Sequence, residues 1–85
     1  MQTTFERARA VVADVLSINP ERIVPETQII DELNPDSLEV VEIVIGLESE
    51  FDVSLDADQA ELTTMRELVS RMEEKLALSQ REIQY

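Results

Sequence analysis

This 85-residue chain has no cysteine, no histidine and no tryptophan, and only one glycine. Without cysteine there is no disulfide staple, and no thiolate for metal binding or covalent catalysis. Without histidine the commonest general base and metal ligand is gone. Long apolar runs are missing as well. Nothing approaches the roughly 20 residues that span a bilayer, so no membrane insertion is expected. The start, MQTTFERAR, carries Glu6 with no apolar stretch behind it, which argues against a secretory signal. A single small cytoplasmic domain with a thin core, present as a monomer, is the expectation.

Positive charge is scarce in one place above all. The bases are Arg7, Arg9 and Arg22, then Arg66, Arg71, Lys75 and Arg81; between Arg22 and Arg66 there is none. That interval holds twelve acids, from Glu26 to Glu61, and the other seven acids balance the seven bases, so the net charge of −12 belongs to the middle of the chain. Such a surface repels nucleic acid and anionic membrane and attracts basic partners.

What is present reads as helices. Thr3 and Glu6 form a capping-box pattern, and Phe5, Ala8, Val12, Val15 and Leu16 follow at helical spacing, giving a first helix over about 4–17 that Asn19-Pro20 ends. A long connection runs over about 18–36, punctuated by Pro20, Pro25 and Pro35. A loop of that length needs pinning. Ile18, Ile23, Ile29 or Ile30, and Leu33 are the pins, with a short helical turn near Ile29–Leu33. Asp36 and Glu39 make a second capping pair, opening a second helix over 37–51 that contains the lone Gly46. Glycine costs up to about 1 kcal/mol there, so it points to close packing. Asp56 and Gln59 cap a short third helix over about 57–62, and Thr64 with Glu67 open a last helix over about 65–78. The expected fold is all-α: a small four-helix bundle with a long first loop and a short third helix, one domain over 1–78, and a frayed tail over 79–85.

The second helix carries two apolar stripes. Val40, Ile43, Val44, Leu47 and Phe51 share one face and form the core stripe. Leu38, Val41 and Ile45 lie on another side, bordered by Glu42 and Glu48 with Glu39 further round. A helix buried on both sides would show the same pattern. In so small a bundle, an acid-edged apolar strip reads better as an exposed docking surface.

At the head of this helix stands Asn34-Pro35-Asp36-Ser37-Leu38. A catalytic serine needs a base, and this chain offers only carboxylates. Either Ser37 is a helix-start residue alone, or its chemistry is supplied from outside. A calcium loop suggested by Asp56, Asp58 and Glu67 fails, since Ala60 and Glu61 stand where an oxygen ligand and a glycine are required.

Asp36-Ser37-Leu38 followed by the acidic helix Glu39–Phe51, with Leu62-Thr63-Thr64-Met65 later, resembles the acyl carrier proteins, and the resemblance covers nearly the whole chain. It implies that Ser37 receives a 4′-phosphopantetheine arm from coenzyme A through a separate phosphopantetheinyl transferase. The arm's thiol then carries acyl groups as thioesters. It implies no active site of the chain's own. It implies docking onto basic patches of acyl-processing enzymes through Asp36, Leu38, Glu39, Val41, Glu42, Ile45 and Glu48, and an acyl pocket lined by Val44, Leu47, Leu62 and Val69. Fatty-acid, polyketide or related biosynthesis is the implied setting. The sequence departs from the family's pattern at Asn34-Pro35, where glycine and a small residue are usual, and at Ser49, where another acid is frequent. The stretch from Phe51 to Thr63-Thr64 is also slightly short, which leaves a dedicated carrier for a specialised pathway open. The alternative is an unmodified acidic interaction module in which Ser37 only starts a helix.

Overall fold

The computed structural model describes residues 2–55 and 63–83, with the side chains of the last helix through Ala77. These residues form α1 (Thr4–Leu16), a 3-10 turn (Pro20–Arg22), α2 (Ile29–Leu33), α3 (Ser37–Phe51) and α4 (Met65–Ile83). There is no strand among them; Gln28 and Thr64 make one isolated antiparallel bridge. The all-helical expectation holds, while the short third helix expected over 57–62 lies outside the described residues.

α1 begins with the expected capping box. The Glu6 N–H donates to Thr3 Oγ1 at 3.1 Å, and the Thr3 N–H donates to Glu6 Oε1 at 2.9 Å. Its end differs from expectation. Ser17 turns left-handed (φ 56°) and closes the helix ahead of Pro20. Asn19-Pro20 instead start the 3-10 turn, with the Asn19 side chain accepting the Glu21 N–H at 2.9 Å. α4 also outruns its expected end at 78 and stays helical to Ile83, into the segment expected to fray. Gln80, Arg81 and Glu82 are residue types that extend an existing helix at little cost.

The core lies between α1, α3 and α4. Ala8 and Val12 of α1 meet Ile43, Leu47 and Phe51 of α3 and Met65, Leu68 and Met72 of α4, all buried. Burying each large side chain is worth about 1.5–3 kcal/mol. Gly46 sits where α1 crosses α3: a Cβ there would lie 2.7 Å from Val11 Cγ1, so the close packing inferred from the lone glycine is realised.

The long first loop is pinned as expected, and Ile29 rather than Ile30 is the buried pin. Ile23 and Ile29 are fully buried, Ile18 and Leu33 pack on the core from its edge, and Ile30 is exposed. Hydrogen bonds fasten the same loop to the start of α4. The Met65 N–H donates to the Thr27 carbonyl at 2.9 Å, the Arg66 N–H to the Pro25 carbonyl at 2.8 Å, and the Ile29 N–H to the Thr63 carbonyl at 3.0 Å. Helix N-termini expose N–H groups without internal partners, and here the loop supplies acceptors. Thr64 Oγ1 accepts the Glu67 N–H at 3.2 Å, while the Glu67 carboxylate accepts the Thr63 hydroxyl at 2.8 Å in place of closing a reciprocal box.

Candidate functional site

The site is built at the α2–α3 corner. α2 ends at Asn34, which takes a left-handed conformation (φ 48°) and donates its N–H to the Ile30 carbonyl at 3.0 Å. Pro35 follows, half-buried. Asp36 is the N-cap of α3, and its capping box is complete: the Glu39 N–H donates to Asp36 Oδ1 at 2.8 Å, and the Asp36 N–H donates to Glu39 Oε1 at 2.9 Å. Ser37 is therefore the first helical residue. It is exposed, and its hydroxyl is engaged by no other described residue.

Along α3 the two stripes separate as the spacing predicts. Val40, Ile43, Val44, Leu47 and Phe51 are buried. Leu38, Val41 and Ile45 are 67%, 50% and 57% exposed, which excludes burial on both sides. The acids around them are not equivalent. Glu42 is exposed and Asp36 is exposed at the cap, but one oxygen of Glu39 is taken by the box. Glu48 is half-buried, and its Oε2 accepts the Leu55 N–H at 2.8 Å. Helical spacing carries no sign of that bond, because it crosses the left-handed turn at Asp52 (φ 54°).

Two other acids of the central interval meet distant bases. Glu50 accepts from Arg7 Nε at 2.9 Å while Arg7 lies over the Phe51 ring, 4.4 Å from its centroid, and Glu26 meets Arg66 at 2.6 Å. Asp31 of α2 and Asp36 and Glu42 at α3 are exposed.

Three of the four expected acyl-pocket residues lie among the described residues, and Val69 packs against the core cluster that includes Leu47. Val44 and Leu47 are buried on the inner face of α3. Val69 lines a surface depression with Phe5, Pro25, Arg66, Ser70 and Glu73, which Val44 and Leu47 do not share. Leu62 lies outside the described residues.

The corner thus places an exposed serine at the head of an acid-edged helix. Residues 6–72 match the family model described as a phosphopantetheine attachment site. The chain belongs to the acyl carrier protein family. Curated acyl carrier proteins are similar along most of its length: that of Thermosynechococcus vestitus is 41% identical over 86% of this chain and 91% of its own. That of Helicobacter hepaticus is 39% identical over 82% of this chain and 93% of its own, and that of Thermotoga maritima 34% over 85% and 90%. Members of the family are carriers rather than enzymes, and the group they hold covalently is 4′-phosphopantetheine.

The corner fits such a group. The capping box uses the Glu39 N–H, and the Val40 N–H bonds to the Asp36 carbonyl at 3.0 Å. The N–H groups of Ser37 and Leu38 have no intrahelical partner, as helix geometry requires, so donors suited to a phosphate stand beside the free hydroxyl. Among the described residues no helix is long and apolar enough to cross a membrane.

Proposed function

We propose that Ser37 is the residue that carries the arm, and that this chain presents acyl groups to partner enzymes of fatty-acid, polyketide or related biosynthesis in the cytoplasm, as a monomer. The observation that carries the reading is the exposed, unengaged hydroxyl of Ser37 at the first position of α3, inside the matched segment.

In loading, the Ser37 oxygen forms the new phosphoester bond and the phosphoanhydride of coenzyme A breaks, with adenosine 3′,5′-bisphosphate leaving. The hydroxyl proton passes to a base that this reading assigns to the transferase, since the chain itself offers only carboxylates. When bound, the arm supplies the thiol that holds an acyl group as a thioester.

The chain's own contribution is recognition and shelter. Leu38, Val41 and Ile45 offer apolar contact, while Asp36 and Glu42 offer charge to a basic patch. Glu39 contributes with its remaining oxygen. Glu48 is assigned mainly to holding Leu55, which narrows the docking set expected from the sequence. Val44, Leu47, Leu62 and Val69 are the proposed acyl-facing residues.

The test is intact-mass measurement after incubation with coenzyme A and a phosphopantetheinyl transferase. Wild type should gain one arm, Ser49→Ala and Ser54→Ala should gain it equally, and Ser37→Ala should stay at its unmodified mass. An arm on Ser37→Ala would reject the assignment.

A further inference from the structure

Three residues join Leu33, the last of α2, to Ser37, the first of α3, and each is held by a different device. Asn34 is fixed at φ 48°, ψ 54° by the hydrogen bond that closes α2. Positive φ is uncommon outside glycine, and asparagine is one of the residues that tolerate it. Pro35 adds a second restraint on the connector, its own φ locked by its ring, while its Cδ disfavours helical geometry at Asn34, so the bond that closes α2 holds Asn34 left-handed against that preference. Asp36 is held extended (φ −79°, ψ 176°) by the two hydrogen bonds of its box with Glu39. The connector therefore has no residue free to turn. Ser17 and Asp52, the other positive-φ positions among the described residues, are followed by Ile18 and Val53 and lack this second restraint.

We propose that Asn34-Pro35-Asp36 form a rigid elbow that presents the backbone of Ser37, and so its Cα–Cβ bond, in one orientation for arm transfer, with Pro35 as the positioning residue. The inference rests on Ser37 being the attachment serine. Pro35 does not touch the reacting atoms. It acts by removing backbone freedom that the transferase would otherwise have to freeze on docking. Fixing one backbone residue costs roughly a factor of ten in an equilibrium, so the elbow should appear in the KM for this chain and leave kcat alone.

The experiment uses the unmodified full chain, a phosphopantetheinyl transferase and coenzyme A, with amide exchange as a second readout that needs no arm. Pro35→Gly should raise the KM for the chain about tenfold with kcat unchanged, and should speed exchange of the Asp36 N–H by a similar factor while exchange in α1 and α4 stays as in wild type. Pro20→Gly removes the same restraint in the 3-10 turn, away from the elbow, and should leave both readouts at wild-type values. Wild-type KM and wild-type Asp36 exchange in Pro35→Gly would overturn the inference. A KM rise matched in Pro20→Gly, or accompanied by loss of protection in α1 and α4, would also overturn it, since general loosening would then explain the effect. Arm transfer to Ser37→Ala would reject the attachment reading itself, whatever Pro35 does.

Discussion

The Glu48 carboxylate accepts the Leu55 N–H at 2.8 Å, and the Glu48 carbonyl accepts the Val53 N–H at 3.3 Å. One residue thus holds the chain on both sides of the turn after α3, where Val53 and Leu55 fold back against the core. A hydrogen bond to a charged acceptor is worth about 1.5–3 kcal/mol, and partial exposure places this one toward the lower end. Glu48→Ala should lose about 1–2 kcal/mol in urea unfolding and lose exchange protection at the Leu55 amide. Glu48→Gln keeps an acceptor and should lose less than half as much. Equal stability of Glu48→Ala and wild type would return Glu48 to the docking set.

Glu42 has the opposite profile, exposed on the strip side of α3. Glu42→Lys should leave the unfolding midpoint within about 0.5 kcal/mol of wild type, as exposed substitutions do. It should weaken recognition by the transferase at low salt, and the difference should shrink as salt rises, because the screening length falls from about 10 Å at 0.1 M to about 3 Å at 1 M. A salt-independent effect, or none, would count against a charge role.

Gly46 sets two effects against each other. Alanine gains about 0.8–1 kcal/mol of helix propensity, but its Cβ would stand 2.7 Å from Val11 Cγ1. Valine is stiff at χ1 and yields poorly, and overpacking costs about 1–3 kcal/mol. Gly46→Ala should therefore lower the melting temperature, and Val11→Ala/Gly46→Ala should recover part of the loss. A rise in Gly46→Ala alone would show that α1 moves aside at little cost.

The parts of this molecule that repeat locally are legible in the sequence. Thr3 with Glu6 and Asp36 with Glu39 are capping patterns three residues apart, and both boxes are present. The two stripes of α3 follow from helical periodicity alone, which is enough to put Leu38, Val41 and Ile45 on the side away from the core stripe. Relationships across turns are not legible. The stop at Ser17 depends on a left-handed residue that carries no glycine to announce it, and the Glu48–Leu55 bond has no periodic signature. The clamp between Thr27 and Met65 joins segments far apart in the chain. Val69 shares a helical stripe with core residues yet also lines a surface depression, and position on a stripe does not say which cavity a side chain lines.

Glu6 offers a pH test at the start of α1. The Thr3 backbone N–H donating to its carboxylate, then the Thr3 hydroxyl and the nearby Arg9 charge, hold its pKa below the ordinary glutamate value. A depressed folded pKa means the box stabilises fully above the unfolded pKa and loses that contribution as pH falls through the folded one. Titration of the Glu6 side-chain carbonyl by NMR should give a midpoint below that of the same residue in an unfolded α1 peptide, with faster Thr3 amide exchange below it. An equal or higher midpoint would contradict the bond.

The absence of cysteine makes the central claim directly measurable, since any thiol on the chain must come from the arm. After coexpression with a phosphopantetheinyl transferase and removal of small molecules under reducing conditions, thiol titration should find one thiol per wild-type chain and none on Ser37→Ala. No thiol on the wild-type chain, or one that persists in Ser37→Ala, would contradict Ser37 as the residue that carries the arm.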